Sequence, residues 1–562
     1  MKLLSRKNPL SGFLFFGFAA LFSLQVLPGL SSNSLTNDEP SDITNGYYYL
    51  TKGDVESIQN HPPLGSALQA LPLLFLNLKT QPFQGEWIDR SHAFLFDWNL
   101  DRLQAITFSS RAVSWILGLG IGALLFWRTR KHPLICSFAL FFWSLDPTLL
   151  ALSGLAKTDI TPAFFILASV FFFEKAREEG TWKWAWWAGM GTAMAVTAKY
   201  YALVLIPFFV FSEWLGPLKM GNFPKFPSAD LKSLKGRWTW GMAGFVIGLI
   251  FVYLPATLLL PDHRDPFSHF FLKFKENWVY ANHPHPVYFL GKCGLENHWY
   301  YLPVAFFLKE PVPFLFLLLG GIGLAFRKKI GVPPWQWLFP LLFTLALLPT
   351  PNLGVRYLLP ALPFLYLIAA QGAAWLWDRG QKGTGRWAVG ILFFWQAASL
   401  AWNFPGQISY FNDFVTPERK FYLLGDSNLD WGQDLKRLAS VAAERKWGKV
   451  KLAYFGAVDP GVYGLDWEPW KSKDLEGPQP GQVYVVNASF YQLAPAAYPP
   501  TRLLAEGWIS RERPMGKVAD SWYFFEMPGV LKAQEADPFI VSVPFLQYRG
   551  YWDGSKRKLP SP

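Results

Sequence analysis

The stretch Asn37–Leu68, NDEPSDITNGYYYLTKGDVESIQNHPPLGSAL, follows the first long apolar run of the chain and precedes all the others. It carries an acidic pair, Asp38-Glu39, a cluster Tyr47-Tyr48-Tyr49, and the turn His61-Pro62-Pro63-Leu64, whose prolines stiffen the backbone. Acids, aromatic rings and a stiffened turn beside a membrane segment suggest a site rather than a linker. The tyrosines and His61-Pro62-Pro63 would then be the wall of a cavity at the bilayer surface.

Working outward, the composition says what kind of protein holds this stretch. The 562 residues are 51% hydrophobic and 18% aromatic, and only 16% are charged. A soluble domain carries about 25% charged residues. Long apolar runs recur as far as residue 404, so the chain reads as a polytopic membrane protein. Its net charge of +12 does not signal nucleic acid. Many of the basic residues sit in short loops between apolar runs, as the positive-inside rule requires. The two cysteines, Cys136 and Cys293, supply neither a disulfide framework nor a cysteine zinc pattern.

About eleven runs reach spanning length. The first follows MKLLSRK and reads as a retained anchor rather than a signal peptide. The others are Ser109–Trp127, Leu134–Leu152, Ile160–Phe173, Trp184–Thr197, Tyr201–Leu215, Trp238–Leu260, Tyr301–Phe326, Trp335–Leu348, Leu358–Trp377 and Trp387–Trp402. Ser66–Leu78 is too short to span and reads as an interfacial helix. Alternating sides from a cytoplasmic N-terminus puts the basic loops Arg128–His132, Gly216–Arg237, Arg327–Lys329 and Asp378–Arg386 inside. Residues 31–108, 261–300 and everything after Asn403 then share the outer side.

The expected architecture is an all-α polytopic membrane domain, residues 1–404, followed by a small α/β or α+β extracytoplasmic domain, residues 405–562. The second part is polar, with apolar runs of strand length at Phe421–Leu424, Val450–Phe455, Val483–Val486 and Trp522–Phe525. An amphipathic helix follows Gly432, and Asn487-Ala488-Ser489 fits a glycosylation sequon.

Ionisable residues at the outer ends of the spans are the next signal, because a membrane tolerates them at a cost. They are Arg111, Lys157 and Asp159, Lys199, Lys309-Glu310 and Arg356. Any one could be a snorkelling end residue or half of a local ion pair. As a set on the side of Asp38-Glu39, they suit an anionic group held at the bilayer surface, such as a lipid-linked phosphate. Cations offset the charge on a departing phosphate, and a carboxylate accepts the proton of an attacking hydroxyl. Asp38 and Glu39 both fit that second role. His61, His283, His285 and His298, with Glu296, could bind a divalent metal, but their spacing is not diagnostic. Glu296 and His298 are the metal candidates; packing against aromatics is the plainer expectation for these loop histidines.

The order of these motifs resembles the membrane glycosyltransferases of the C-type fold, in particular the protein O-mannosyltransferase-like group that includes the bacterial aminoarabinose transferases of lipid A. The resemblance rests on Asp38-Glu39, His61-Pro62-Pro63-Leu64, Arg111, Lys157-Thr158-Asp159, Lys199, Lys309-Glu310-Pro311 and Gly354-Val355-Arg356-Tyr357. Tyr410-Phe411-Asn412 and Gly425–Leu435, GDSNLDWGQDL, look like the segment after the last span in bacterial members. The resemblance covers roughly residues 1–440. It implies that Asp38 is the catalytic acid, that Glu39 assists or orients, and that Asp159 is a second acid near the reaction centre. It also implies a polyprenyl-phosphate sugar as donor, with Arg111, Lys309 and Arg356 as ligands of its phosphate and Lys157, Lys199, Tyr357 and His61 lining the same site. The HPPL form of the His61 motif resembles the mannosyltransferases rather than the aminoarabinose enzymes, which weighs against lipid A as acceptor.

The expectation is therefore an inverting glycosyltransferase of a membrane, of bacterial inner-membrane type, acting outside the cytoplasm on a protein or glycan hydroxyl. Its partners are the lipid-linked donor, the acceptor and membrane lipids, not nucleic acid. The rival reading is a transporter or flippase of lipid-linked sugars, which predicts charges on both sides of the membrane instead of one.

Overall fold

The computed structural model describes residues 9–58, 61–81, 83, 87–215, 231–260, 265–379, 383–497, 508 and 514–527. Helices dominate. The uncharged α1 (Pro9–Ser32) has 24 residues. At about 1.5 Å per residue it exceeds the roughly 30 Å hydrocarbon core of a bilayer. The opening stretch folds into α2 (Glu39–Lys52) and α3 (Leu64–Ala70). α2 ends at Gly53 in the left-handed conformation, φ +70°, with its N–H donating to Tyr49 O. Then come α4 (Trp87–His92), α5 (Leu103–Thr129), α6 (Pro133–Ser144), α7 (Pro147–Ser153), α8 (Ile160–Glu179), α9 (Trp182–Val196), α10 (Leu205–Leu215), α11 (Leu231–Leu259) and α12 (Pro266–Ala281). The later helices are α13 (Tyr301–Lys309), α14 (Val312–Phe326), α15 (Pro334–Leu347), α16 (Leu362–Arg379), α17 (Thr384–Asn403), α18 (Lys420–Leu423) and α19 (Leu435–Glu444).

The chain is an integral membrane protein: four described segments are straight, long and apolar enough to cross a bilayer. They are Gly12–Ser32, Leu100–Thr129, Leu234–Leu259 and Val355–Arg379. Two expected spans are bent pairs, α6 with α7 at 60° and α13 with α14 at 119°, which would raise the number to six. Both breaks fall at an acid followed by proline, Asp146-Pro147 and Glu310-Pro311. Proline pushes the preceding residue out of the helical region, and Asp146 accepts the Leu149 N–H to start the next helix. The expected eleven crossings thus exceed what length and apolarity support. The remaining apolar helices Leu64–Phe75, Tyr200–Leu215 and Pro334–Leu347 are shorter, and α8 ends in the charged run EKAREE.

Small residues let the helices approach closely. A Cβ on Gly189 of α9 would lie 1.8 Å from Gly241 O of α11, and one on Gly244 would lie 2.1 Å from Trp186 O. This is the small-residue packing that replaces the hydrophobic drive between helices in lipid.

Outside the helical part, the hairpin β1 (Val287–Phe289) with β2 (Lys292–Gly294) precedes a five-stranded mixed sheet. Its strands are β3 (Val450–Ala453), β4 (Trp467–Pro469), β5 (Val483–Asn487), β6 (Gly516–Val518) and β7 (Trp522–Glu526), in the order β4-β3-β5-β7-β6. β3 runs parallel to β4 and β5, and β7 antiparallel to β5 and β6. The amphipathic α19 is present, and its Leu435 and Leu438 share one core with Val450, Val485 and Trp522 and with Leu35, Ile43 and Phe94 from the segment between α1 and α5. Three of the four expected strands form. Phe421–Leu424 does not join the sheet: it is the turn α18, its Phe421 ring packed among Tyr288, Tyr491 and Tyr523. The sequon is overturned as a glycan site. Asn487 is fully buried and its Nδ2 donates to Asp430 Oδ2 at 2.5 Å, leaving no room for a sugar.

Candidate active site

Asp38 occupies the position before α2 but makes no capping bond with its side chain. Its carboxylate turns instead towards Lys157, whose Nζ lies 3.0 Å from Asp38 Oδ2, and towards Arg356, whose Nη1 lies 3.6 Å away. Asp42, one turn further along α2 and on the same face, holds Lys157 more closely still. Asp38 and Asp42 both line a cavity of about 160 Å³ together with His61, Lys157, Lys199, Tyr280, Arg356 and Tyr357. The Asp38 side chain is 36% exposed, although the cavity lies deep among charged groups. Burial pushes its carboxyl up, but Lys157 and Arg356 outweigh that and hold it below the usual range. Asp42 goes the other way, raised by burial and by the charge of Asp38.

The cations arrive from three elements. Lys157 lies in the turn before α8. That turn is pinned by Gln69 Nε2, which donates to Lys157 O at 3.1 Å, and by Glu39, which accepts the Ala156 N–H. Lys199 lies between α9 and the next 3-10 turn, and its Nζ donates to Asp159 Oδ1 at 2.5 Å. Leu64 N donates to Thr197 O, so the His61 turn is tied to the Lys199 turn. Burial, with Lys199 and Lys157 nearby, pushes His61 well below its usual value and leaves a neutral imidazole. Arg356 is the second residue of the 3-10 turn Val355–Ala361, and its Nε finds no partner among the described residues. A buried N–H without an acceptor is uncommon enough to call for an explanation. The second oxygen of Asp159, Oδ2, is likewise unpartnered.

Other expected site residues stand elsewhere. Glu39 and Arg111 are both fully buried and pair with each other, Arg111 Nε and Nη2 each reaching a Glu39 oxygen at 2.7 Å. Arg111 also donates to Leu30 O, Asn33 O and Ser34 O, satisfying carbonyls at the end of α1. Its guanidinium donors are all engaged, so none is left for a phosphate. Glu39 accepts the N–H groups of Thr36 and Ala156 as well. Lys309 lies at the corner between α13 and α14, where its Nζ donates to Ile408 O at 2.8 Å and Asn428 O at 2.5 Å. The tyrosine cluster is packing rather than wall: Tyr47 stacks on Phe94, Tyr48 lies under Arg90, and Tyr49 donates to Val252 O.

Among the described residues, no three His, Cys, Asp or Glu side chains stand close enough to hold a metal ion. Glu296 is exposed, and the His298 ring lies 5.4 Å from Phe289 and 5.5 Å from Tyr300. Two members of the site went unread in the sequence. Asp42 was signalled only by its i+4 spacing from Asp38, and Tyr280 by nothing beyond an aromatic residue in a long loop.

Residues 41–261, from the third residue of α2 to just past α11, match the protein family described as dolichyl-phosphate-mannose-protein mannosyltransferase. The O-mannosyltransferase-like resemblance read from the motifs holds over that stretch, which includes His61, Lys157, Asp159 and Lys199. No curated protein matches the chain. Among solved structures, ArnT from Cupriavidus metallidurans bound to undecaprenyl phosphate is similar at 12% identity and a TM-score of 0.42, over 92% of this chain and 98% of that one. The oligosaccharyltransferase AglB from Archaeoglobus fulgidus, in complex with an inhibitory peptide and a dolichol-phosphate, is similar at 12% identity and a TM-score of 0.41, over 86% and 71%.

Proposed function

We propose that the chain is a glycosyltransferase that moves a sugar from a polyprenyl-phosphate carrier to a hydroxyl of a protein or glycan at the outer face of the membrane. The observation that carries this reading is the presence, in one cavity, of the partly exposed side chain of Asp38 and the unpartnered Nε of Arg356. The match of residues 41–261 to a family named for a lipid-phosphate mannose donor supports it. In this proposal the N-terminus and the basic loops face the cytoplasm and residues after 403 face outside. Tyr200–Leu215 and Pro334–Leu347 take part in an eleven-crossing topology, and Leu64–Phe75 lies in the interface.

Asp38, kept ionised by Lys157 and Arg356, accepts the proton of the acceptor hydroxyl. The oxygen forms a bond to the anomeric carbon while the bond from that carbon to the phosphate oxygen breaks. The electron pair leaves with polyprenyl phosphate. A single displacement inverts the anomeric centre. Arg356 and Lys157 stabilise the charge that grows on the phosphate, and Tyr357 and the neutral His61 line its place. Asp159 acts through Lys199, which it holds at 2.5 Å.

The test uses purified full-length protein, a polyprenyl-phosphate sugar and analysis of the product. Asp38→Asn is expected to lower transfer by about 10²- to 10⁴-fold, the usual worth of a general base, with the protein still folded. Undiminished transfer rejects Asp38 as the base. Movement of intact lipid across the bilayer without a covalent product reassigns the chain as a transporter.

A further inference from the structure

The segment Gly425–Asp434 comes back from beyond the last helix and touches both halves of the site without forming its wall. Trp431 is 5% exposed, and its ring lies 4.2 Å from the Arg356 guanidinium carbon and 5.5 Å from Lys157 Nζ. It stands behind these two cations; the residues that line the cavity are the cations themselves. The backbone on either side of the ring is fastened to both partners. Asn37 N donates to Trp431 O at 2.9 Å and Ser34 N to Gln433 O at 3.0 Å, immediately before Asp38. On the cation side, Val355 N donates to Asn428 Oδ1 at 2.9 Å and Ser427 Oγ to Leu353 O at 2.7 Å, immediately before Arg356. The loop is held in turn by the sheet region: Asp430 accepts from Asn487 Nδ2 and Ser489 N, and Gln433 Nε2 donates to Ser521 Oγ at 3.0 Å.

We propose that Trp431 is a positioning residue that backs the guanidinium of Arg356 and aims it at the donor phosphate, with the loop setting the separation of Arg356 from Asp38. The proposal rests on the function proposed above. An indole face attracts a cation and holds its plane, and this attraction grows where water is excluded. With Trp431 behind it, the Arg356 guanidinium meets Asp38 through Nη1 at 3.6 Å and keeps Nε free for an incoming oxygen.

The experiment measures transfer kinetics and binding of undecaprenyl phosphate with full-length protein in lipid nanodiscs. Trp431→Leu is expected to raise the donor KM about tenfold, a size typical of a desolvated cation–π contact, and to lower kcat as well, because Arg356 also meets the charge that grows on the phosphate. Trp431→Phe, which keeps an aromatic face, recovers most of the loss. In an Arg356→Gln background, Trp431→Leu adds nothing further. The inference is overturned by an unchanged KM in Trp431→Leu. It is also overturned if the effects of Trp431→Leu and Arg356→Gln multiply independently, or if Leu and Phe lose activity equally with a lowered melting temperature. Those three outcomes leave the proposed function standing. Failure of the wild-type protein to bind undecaprenyl phosphate or to transfer sugar removes both.

Discussion

At the scale of single residues, the acidic pair divides into two unlike groups. Glu39 is locked against Arg111 with no exposure, while Asp38, its neighbour, opens into the cavity. Breaking a buried ion pair from one side costs about 3–5 kcal/mol, because the other charge stays buried and unpaired. Arg111→Met is therefore expected to lower stability by about that amount, read as a large drop in melting temperature in detergent. Arg111→Lys should recover only part of it, since an ammonium cannot span Glu39 and the carbonyls of Leu30, Asn33 and Ser34 at once. A melting temperature unchanged in Arg111→Met would contradict the structural role. His61 makes a second prediction. Its folded-state pKa is depressed below the unfolded value near 6.5, so the unfolded chain takes up the proton first. The contribution of the neutral ring is present above about pH 6.5 and is lost as pH falls through the lower folded value. Stability measured between pH 7 and 5 should fall less steeply in His61→Gln than in the wild type; identical slopes would refute this.

At the scale of elements, the site depends on how α2 meets α3. Gly46 of α2 faces the backbone of α3, and a Cβ there would lie 2.0 Å from Ser66 O. The obstacle is main chain, so α3 must move. Overpacking of this kind costs about 1–3 kcal/mol. Gly46→Ala is expected to lower stability by that amount and to weaken donor binding as well, because α3 follows directly on the His61 turn. A variant with wild-type melting temperature and donor affinity would show that the contact is not needed. The bent pairs belong to this scale too. Length and apolarity make Leu134–Leu152 and Tyr301–Phe326 each a single run of spanning length, although Asp146-Pro147 and Glu310-Pro311 are break signals. An acid before proline marks where a helix stops but not the angle at which the next one leaves, and the bends of 60° and 119° are set by packing.

At the scale of the whole molecule, the division into apolar helices and a polar α/β region was legible from composition and strand-length runs. The resemblance carried by the motifs also implied one site for Asp38, His61, Lys157, Lys199, Arg356 and Tyr357, and all six line one cavity. Arg111 and Lys309 were less legible. A cation at a helix end has the same sequence signature whether it binds carbonyls, a neighbouring acid or a ligand, and only packing distinguishes the three. Trp431 was hidden for a different reason: its contact with Arg356 joins positions far apart in the chain, and no local pattern encodes such a meeting.

That distance has a consequence for how the protein is made. Asp38, Arg111 and Lys157 leave the ribosome early, and the ion pair of Glu39 with Arg111 needs nothing that comes later. The bond from Asn37 to Trp431 O waits for about 400 further residues, on the order of 20–80 s at ordinary rates of synthesis, and the backing of Arg356 by Trp431 becomes possible only at the same point. The contacts that fasten the Asp38 and Arg356 segments to Gly425–Asp434 therefore form only after every described helix up to Thr384–Asn403 has been synthesised.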